Sequence, residues 1–68
     1  MKIKQEILEQ VRHHGWCKML LSRHFNFISI RTIEVWLSNP KKHHRFTELG
    51  ALNIICKCLQ VKQEELFE

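Results

Sequence analysis

The sequence predicts an all-α domain of five short helices, and three observations carry that prediction. Apolar residues recur at helical spacing in several separate stretches, no stretch alternates apolar and polar residues as a strand does, and helix breakers fall between the stretches. The 68 residues leave room for one domain, 1–68. A chain this short buries only about 60% of its unfolded surface, so its stability is modest or helped by a partner.

The elements follow in order. Ile3, Ile7 and Val11, with Leu8 beside them, form an i, i+4, i+8 stripe that predicts a first helix from about Lys4 to His13. Gly15 is the expected stop, because it accepts positive φ without penalty, and Trp16 is expected to turn into the core. Leu21 and Phe25, four apart, share the inward face of a second helix from about Lys18 to Phe25, with Arg23 outward. Asn26 tolerates the left-handed conformation that ends a helix. Ser29 can cap a third helix, about Ile30 to Ser38. There Ile33, Trp36 and Leu37 make the inward stripe, and Ser29, Ile30, Arg31, Glu34 and Val35 lie opposite.

Asn39-Pro40 ends the third helix, since the residue before proline disfavours the helical region. Lys41-Lys42-His43-His44-Arg45 reads as a basic loop. A fourth helix is expected from near Thr47, with the threonine hydroxyl as cap. Its face is Leu49, Leu52, Ile55, Cys56 and Leu59, widened by Ile54 and Cys58. Gly50 inside it marks either a weak point or close packing. A fifth short helix, about Gln63 to Phe67, returns Leu66 over the core.

Charge is uneven. Residues 11–45 hold seven lysines and arginines against Glu34 alone, and all five histidines lie there too. Basic charge on a helix-turn-helix stretch suits a polyanionic partner. No apolar run approaches the roughly 20 residues of a membrane span, and the start, MKIKQEILEQ, mixes charge with apolar residues unlike a secretory signal. The expectation is a cytoplasmic, nucleoid-associated protein without membrane partner or small-molecule substrate. With no aspartate, no glycine-rich phosphate loop and no nucleophile–base pair at helical spacing, the chain does not read as an enzyme, and no cofactor is expected. Adjacent histidines diverge on a helix, and Cys56 and Cys58 face roughly 200° apart, so no metal site is expected. The histidines would instead add charge as pH falls below about 6.5.

Two helices joined by a tight turn, with a polar face on the second, make the helix-turn-helix pattern, here about residues 17–38. Gly15-Trp16, Leu21-Ser22, Ser29 with Thr32-Ile33 and Trp36, and the tail Ile55 to Val61 followed by Glu65-Leu66 stand in the order of a known family. Over nearly its whole length the chain resembles the Cro/repressor-type, lambda-repressor-like (XRE) domains. The resemblance implies binding of double-stranded DNA and transcriptional control, often as a homodimer, in a phage or other mobile-element regulator. The chain departs from that pattern in a longer turn, Phe27-Ile28, in Asn39-Pro40 for a glycine, and in Ile30 and Val35 for polar base-reading residues.

For a recognition helix, base contacts are expected from Ser29, Ile30, Arg31, Glu34 and Val35. Arg31 matches the two acceptors of guanine, Glu34 a cytosine amino group, and Ile30 and Val35 thymine methyls. Alternatively Arg31 pairs with Glu34, and Ile30 and Val35 contact a protein partner, as in an antirepressor or antitoxin-like inhibitor. Phosphate contacts are expected from Lys18, Asn39, Lys41, Lys42 and Arg45, with Arg23 a weaker candidate. So small a surface reads few base pairs, which argues for a dimer on a palindrome. Ile54, Cys58, Leu66 and Phe67 are the candidate dimer contacts. Cys56 reads as core, and Cys17 and Cys58 as reactive wherever they are exposed.

Overall fold

A computed structural model describes residues 2–68. Four α-helices and two 3-10 helices enclose one core: α1 (Gln5–Arg12), α2 (Gly15–His24), α3 (Ile30–Ser38), a 3-10 helix (Pro40–Thr47), α4 (Leu49–Leu59) and a 3-10 turn (Gln63–Glu65). The all-α expectation holds. Among the described residues the one β feature is an isolated antiparallel bridge between Ile3 and Phe67.

The stripe of α1 buries Ile7, Leu8 and Val11 as expected, and Ile3 joins them from just before the helix. Gly15 does not stop α1. It opens α2, and no glycine has positive φ. The break falls at His13-His14 instead, and His14 takes the capping role, its Nδ1 accepting the Cys17 N–H at 3.1 Å. The cap needs only a side-chain acceptor aimed at the first turn, so glycine's freedom is not used. Starting α2 at Gly15 makes Cys17 and Leu21 its buried pair. Trp16, expected in the core, is thereby turned outward and is 60% exposed.

Asn26 and Phe27 both take left-handed conformations (φ 64° and 61°), and the chain then enters α3 at the predicted residue. The Ser29 hydroxyl accepts the Thr32 N–H at 3.1 Å, the expected cap. Ile33 and Leu37 are buried, and Trp36 packs against the core beside them.

The stretch expected as a basic loop is a 3-10 helix. Pro40 sits at its first position, where no N–H is needed, and Asn39 Oδ1 caps it by accepting the Lys41 N–H at 3.0 Å. At its far end Phe46 is fully buried, edge-on to Phe25 and Trp36 with centroids 6.2 Å from each. Thr47 does not cap α4: its hydroxyl donates to the His44 carbonyl at 2.6 Å, and Glu48 Oε1 accepts the Ala51 N–H at 3.1 Å in its place. On α4 the buried residues are Ala51, Leu52 and Ile55, while Leu49, expected inward, is exposed.

Helices α2 and α4 pack antiparallel. His24 at the end of α2 meets Glu48 and Gly50 at the start of α4, and Cys17 near the start of α2 neighbours Cys58 near the end of α4. The left-handed Gln60 closes α4. The expected fifth helix is one 3-10 turn, after which Leu66 is fully buried. Two backbone bonds strap this tail to the start of the chain, Lys4 N–H to Leu66 O at 2.8 Å and Glu68 N–H to Lys2 O at 3.0 Å.

Candidate nucleic-acid interface

Helix α3 has two unlike sides. Ile33, Trp36 and Leu37 fix one side to the core, with Trp36 edge-on to Phe25 at 5.4 Å. The other side presents Arg31, Val35 and Ser38 to solvent, Val35 being 55% exposed. Arg31, Glu34, Val35, Ser38 and Asn39 together line a shallow depression along this side. Ile30 and Ser29 are exposed at its N-terminal end. The structure therefore gathers Arg31, Glu34, Val35 and Asn39 along one surface, leaves Ser29 and Ile30 at the helix start, and adds Ser38, which the sequence reading left out although it lies one turn beyond Glu34 and Val35.

Two expected contacts are otherwise engaged. Lys18 Nζ lies 2.9 Å from Glu34 Oε2, and the lysine side chain is only 14% exposed. Lys18 is thus engaged rather than free, and Glu34 has one carboxylate oxygen in the pair while the side chain stays nearly half exposed. The Lys18 hydrogen bond and charge hold the Glu34 carboxyl below its ordinary range, with smaller help from Arg12 and Arg31. Their separation of 16 residues explains why the pair was not visible in helical spacing. Glu34 pairs across to α2 rather than along α3, so the guanidinium of Arg31 stays out of any ion pair among the described residues.

The cations that border the face differ in freedom. Lys41 is exposed and Lys42 half-buried on the 3-10 helix that follows α3. Arg45 is exposed but lies over the Trp36 ring, 4.7 Å from its centroid, a cation–π contact that fixes its position while its N–H edge can still donate. Asn39 spends its carbonyl oxygen on the cap, leaving its NH₂ to donate outward. Neighbouring histidines are tied to backbone, His43 Nε2 to Leu37 O at 2.8 Å and His44 Nδ1 to Lys41 O at 3.1 Å. Among the described residues no three His, Cys, Asp or Glu side chains come together as metal ligands.

Of the candidate dimer contacts, Leu66 is excluded as a surface residue because the strapped tail buries it completely. Ile54, Cys58 and Phe67 are half-buried and pack against the core of their own chain. Cys17 is buried, and burial together with Cys58 pushes its thiol up, so it is inert rather than reactive. Burial also raises the half-buried Cys56 thiol. The sequence reading missed the most exposed large hydrophobic side chain among the described residues, Phe27 at 79%.

Comparison of the chain with protein-family models, with curated proteins and with solved structures returns no match. No helix among the described residues is long and apolar enough to cross a membrane.

Proposed function

We propose that this chain is a Cro/repressor-type regulator that binds double-stranded DNA, with the exposed side of α3 in the major groove. The observation that carries this reading is the free Arg31–Val35–Ser38 side of the second helix of a helix-turn-helix, opposite a side locked into the core. Arg31 has the planar fork that fits the O6 and N7 acceptors of guanine, and Val35 suits a thymine methyl. Lys41, Lys42, Arg45 and the Asn39 amide then hold the phosphates that flank α3. The base-reading set of this proposal is Ser29, Ile30, Arg31, Val35 and Ser38. One such helix reads few base pairs, so useful selectivity calls for two copies on a palindrome with half-sites about one helical turn apart.

Selection of bound sites from a random double-stranded pool tests this, followed by affinity at two salt concentrations. A palindromic consensus that blurs when Arg31 is replaced by alanine supports the reading. Weak, sequence-blind binding that vanishes as salt rises contradicts it.

A second reading has a specific observation in its favour: Ile30 and Val35 are both apolar and exposed, Val35 on the outward side of α3 and Ile30 at its first residue. On that reading the side docks a protein, as an antirepressor or antitoxin-like inhibitor does. Ile30→Asp with Val35→Asp then abolishes a protein complex, while Arg31→Ala changes no DNA selectivity.

A further inference from the structure

The turn between α2 and α3 holds the least explained side chain of the molecule. Phe27 has φ 61°, directly after Asn26 at φ 64°. Asparagine accepts that region readily, whereas a bulky residue there is strained and persists only where its surroundings over-determine it. The surroundings do so from both sides. Phe25 is held in the aromatic cluster with Trp36 and Phe46, and Ile28 packs on the core while its carbonyl accepts a hydrogen bond from the Ser22 hydroxyl. Between these two anchors the chain bulges, and the Phe27 ring stands 79% exposed. The fold gains almost no burial from this ring, and asparagine or glycine would suit the backbone better. Strain with no return inside the fold points to a partner outside it.

The chemistry beside the ring selects the partner. From Lys18 to Ile33 the chain carries Arg23 and Arg31 outside any ion pair among the described residues and no acidic residue, while His24 is engaged by Glu48 and the one acid that follows, Glu34, by Lys18. Arg23 and Arg31 are exposed on either side of the turn, and Ile30 adds a second exposed apolar group one residue past the Ser29 cap. An apolar tip set between cations fits a polyanion that offers a small apolar group. Duplex DNA has one in its major groove, the thymine C5-methyl. Resting on the DNA-binding reading above, we propose that Phe27, backed by Ile30, is a specificity-determining residue that presses on a thymine methyl at the edge of the site read by α3.

The test uses the full chain and the duplex selected by the unaltered protein. Each thymine of that duplex is replaced in turn by deoxyuridine, which lacks only the methyl, and affinity is measured for the unaltered protein and for Phe27→Asn. Burying one methyl is worth about fourfold in affinity, so one thymine of each half-site is expected to cost about fourfold when replaced. Phe27→Asn is expected to unfold at or above the temperature of the unaltered protein, to keep the rest of the consensus and to be indifferent to that one replacement. If no thymine replacement matters, or if Phe27→Asn feels it as strongly as the unaltered protein, the proposal is overturned while the DNA reading stands, and the ring is left for a protein partner. If the unaltered protein selects no consensus at all, the DNA reading fails and this proposal with it. Because Val35 is read onto a thymine methyl as well, the unaltered protein alone does not tell the two apart; Phe27→Gly, which the left-handed backbone also accepts, repeats the comparison should Phe27→Asn fold poorly.

Discussion

Lys18 and Glu34 join α2 to α3 through a 2.9 Å contact between Nζ and Oε2, and the pair sets which charges α3 leaves free. It engages one ammonium and one carboxylate oxygen with each other rather than with a partner. It also leaves Arg31 uncompeted on the free side of α3.

The two partners of this pair are not equivalent. The Lys18 side chain is largely covered, whereas that of Glu34 is nearly half exposed. Glu34→Ala therefore strands a covered ammonium and is expected to destabilise more than Lys18→Met, which removes the charge and keeps the packing. The pH dependence follows from the lowered Glu34 carboxyl. Its contribution is fully present above the ordinary glutamate pKa of about 4.3 and is lost as pH falls through the lower folded value. Chemical denaturation of the unaltered protein and Glu34→Gln is expected to show a gap at pH 7 that closes in acid.

Gly50 lies under the imidazole of His24, and a Cβ built there would stand 2.4 Å from His24 Cε1 and 2.7 Å from Glu48 Oε1. Alanine gains up to about 1 kcal/mol in helix propensity. It also displaces His24 from Glu48, a 2.6 Å contact, and disturbs the Glu48 cap, and overpacking costs about 1–3 kcal/mol. Gly50→Ala is expected to destabilise by about 1 kcal/mol. In a His24→Ala background only the Glu48 carboxylate still obstructs the added methyl, and the same change is expected to cost less. The difference is read from thermal unfolding of the four proteins.

Phe46 and Trp16 should behave oppositely. Phe46 is fully buried against Phe25 and Trp36, so Phe46→Ala is expected to cost about 3–5 kcal/mol, enough to unfold much of a domain this small. Trp16→Ala removes a mostly exposed ring and is expected to stay within about 0.5 kcal/mol of the original. Urea unfolding monitored by circular dichroism separates the two.

On DNA, charge changes should split into two kinds. Arg31→Ala is expected to cost about 1–3 kcal/mol on the selected duplex and to relax the base preference at one position. Lys41→Ala is expected to weaken all sequences alike and to lower the salt slope by about 1. Anisotropy titrations over a salt series read both effects.

What the sequence disclosed was local. The stripe of α1 and the limits and serine cap of α3 depend on residues within a few positions of one another, and the structure agrees with each. The features that escaped depend on distance or on competition. The Lys18–Glu34 pair spans 16 residues, and Leu66 is buried only because the tail returns to Lys2 and Lys4. Gly15 and Trp16 were misjudged because His14 competes for the capping role and moves the start of α2. Phe46 was hidden at the end of a stretch whose charge suggests a loop. Ser38 was legible in principle, since it shares the side of Arg31 and Val35 by helical spacing.

The most direct measurement is an amide chemical-shift map of the labelled protein titrated with its selected duplex. The largest shifts are expected along α3 from Ser29 to Ser38 and at Lys41 and Lys42, with α1 and the tail from Gln63 to Glu68 nearly silent. Shifts concentrated on α1 or the tail, or an α3 that does not respond, would contradict the claim that the free side of α3 is the DNA-reading surface.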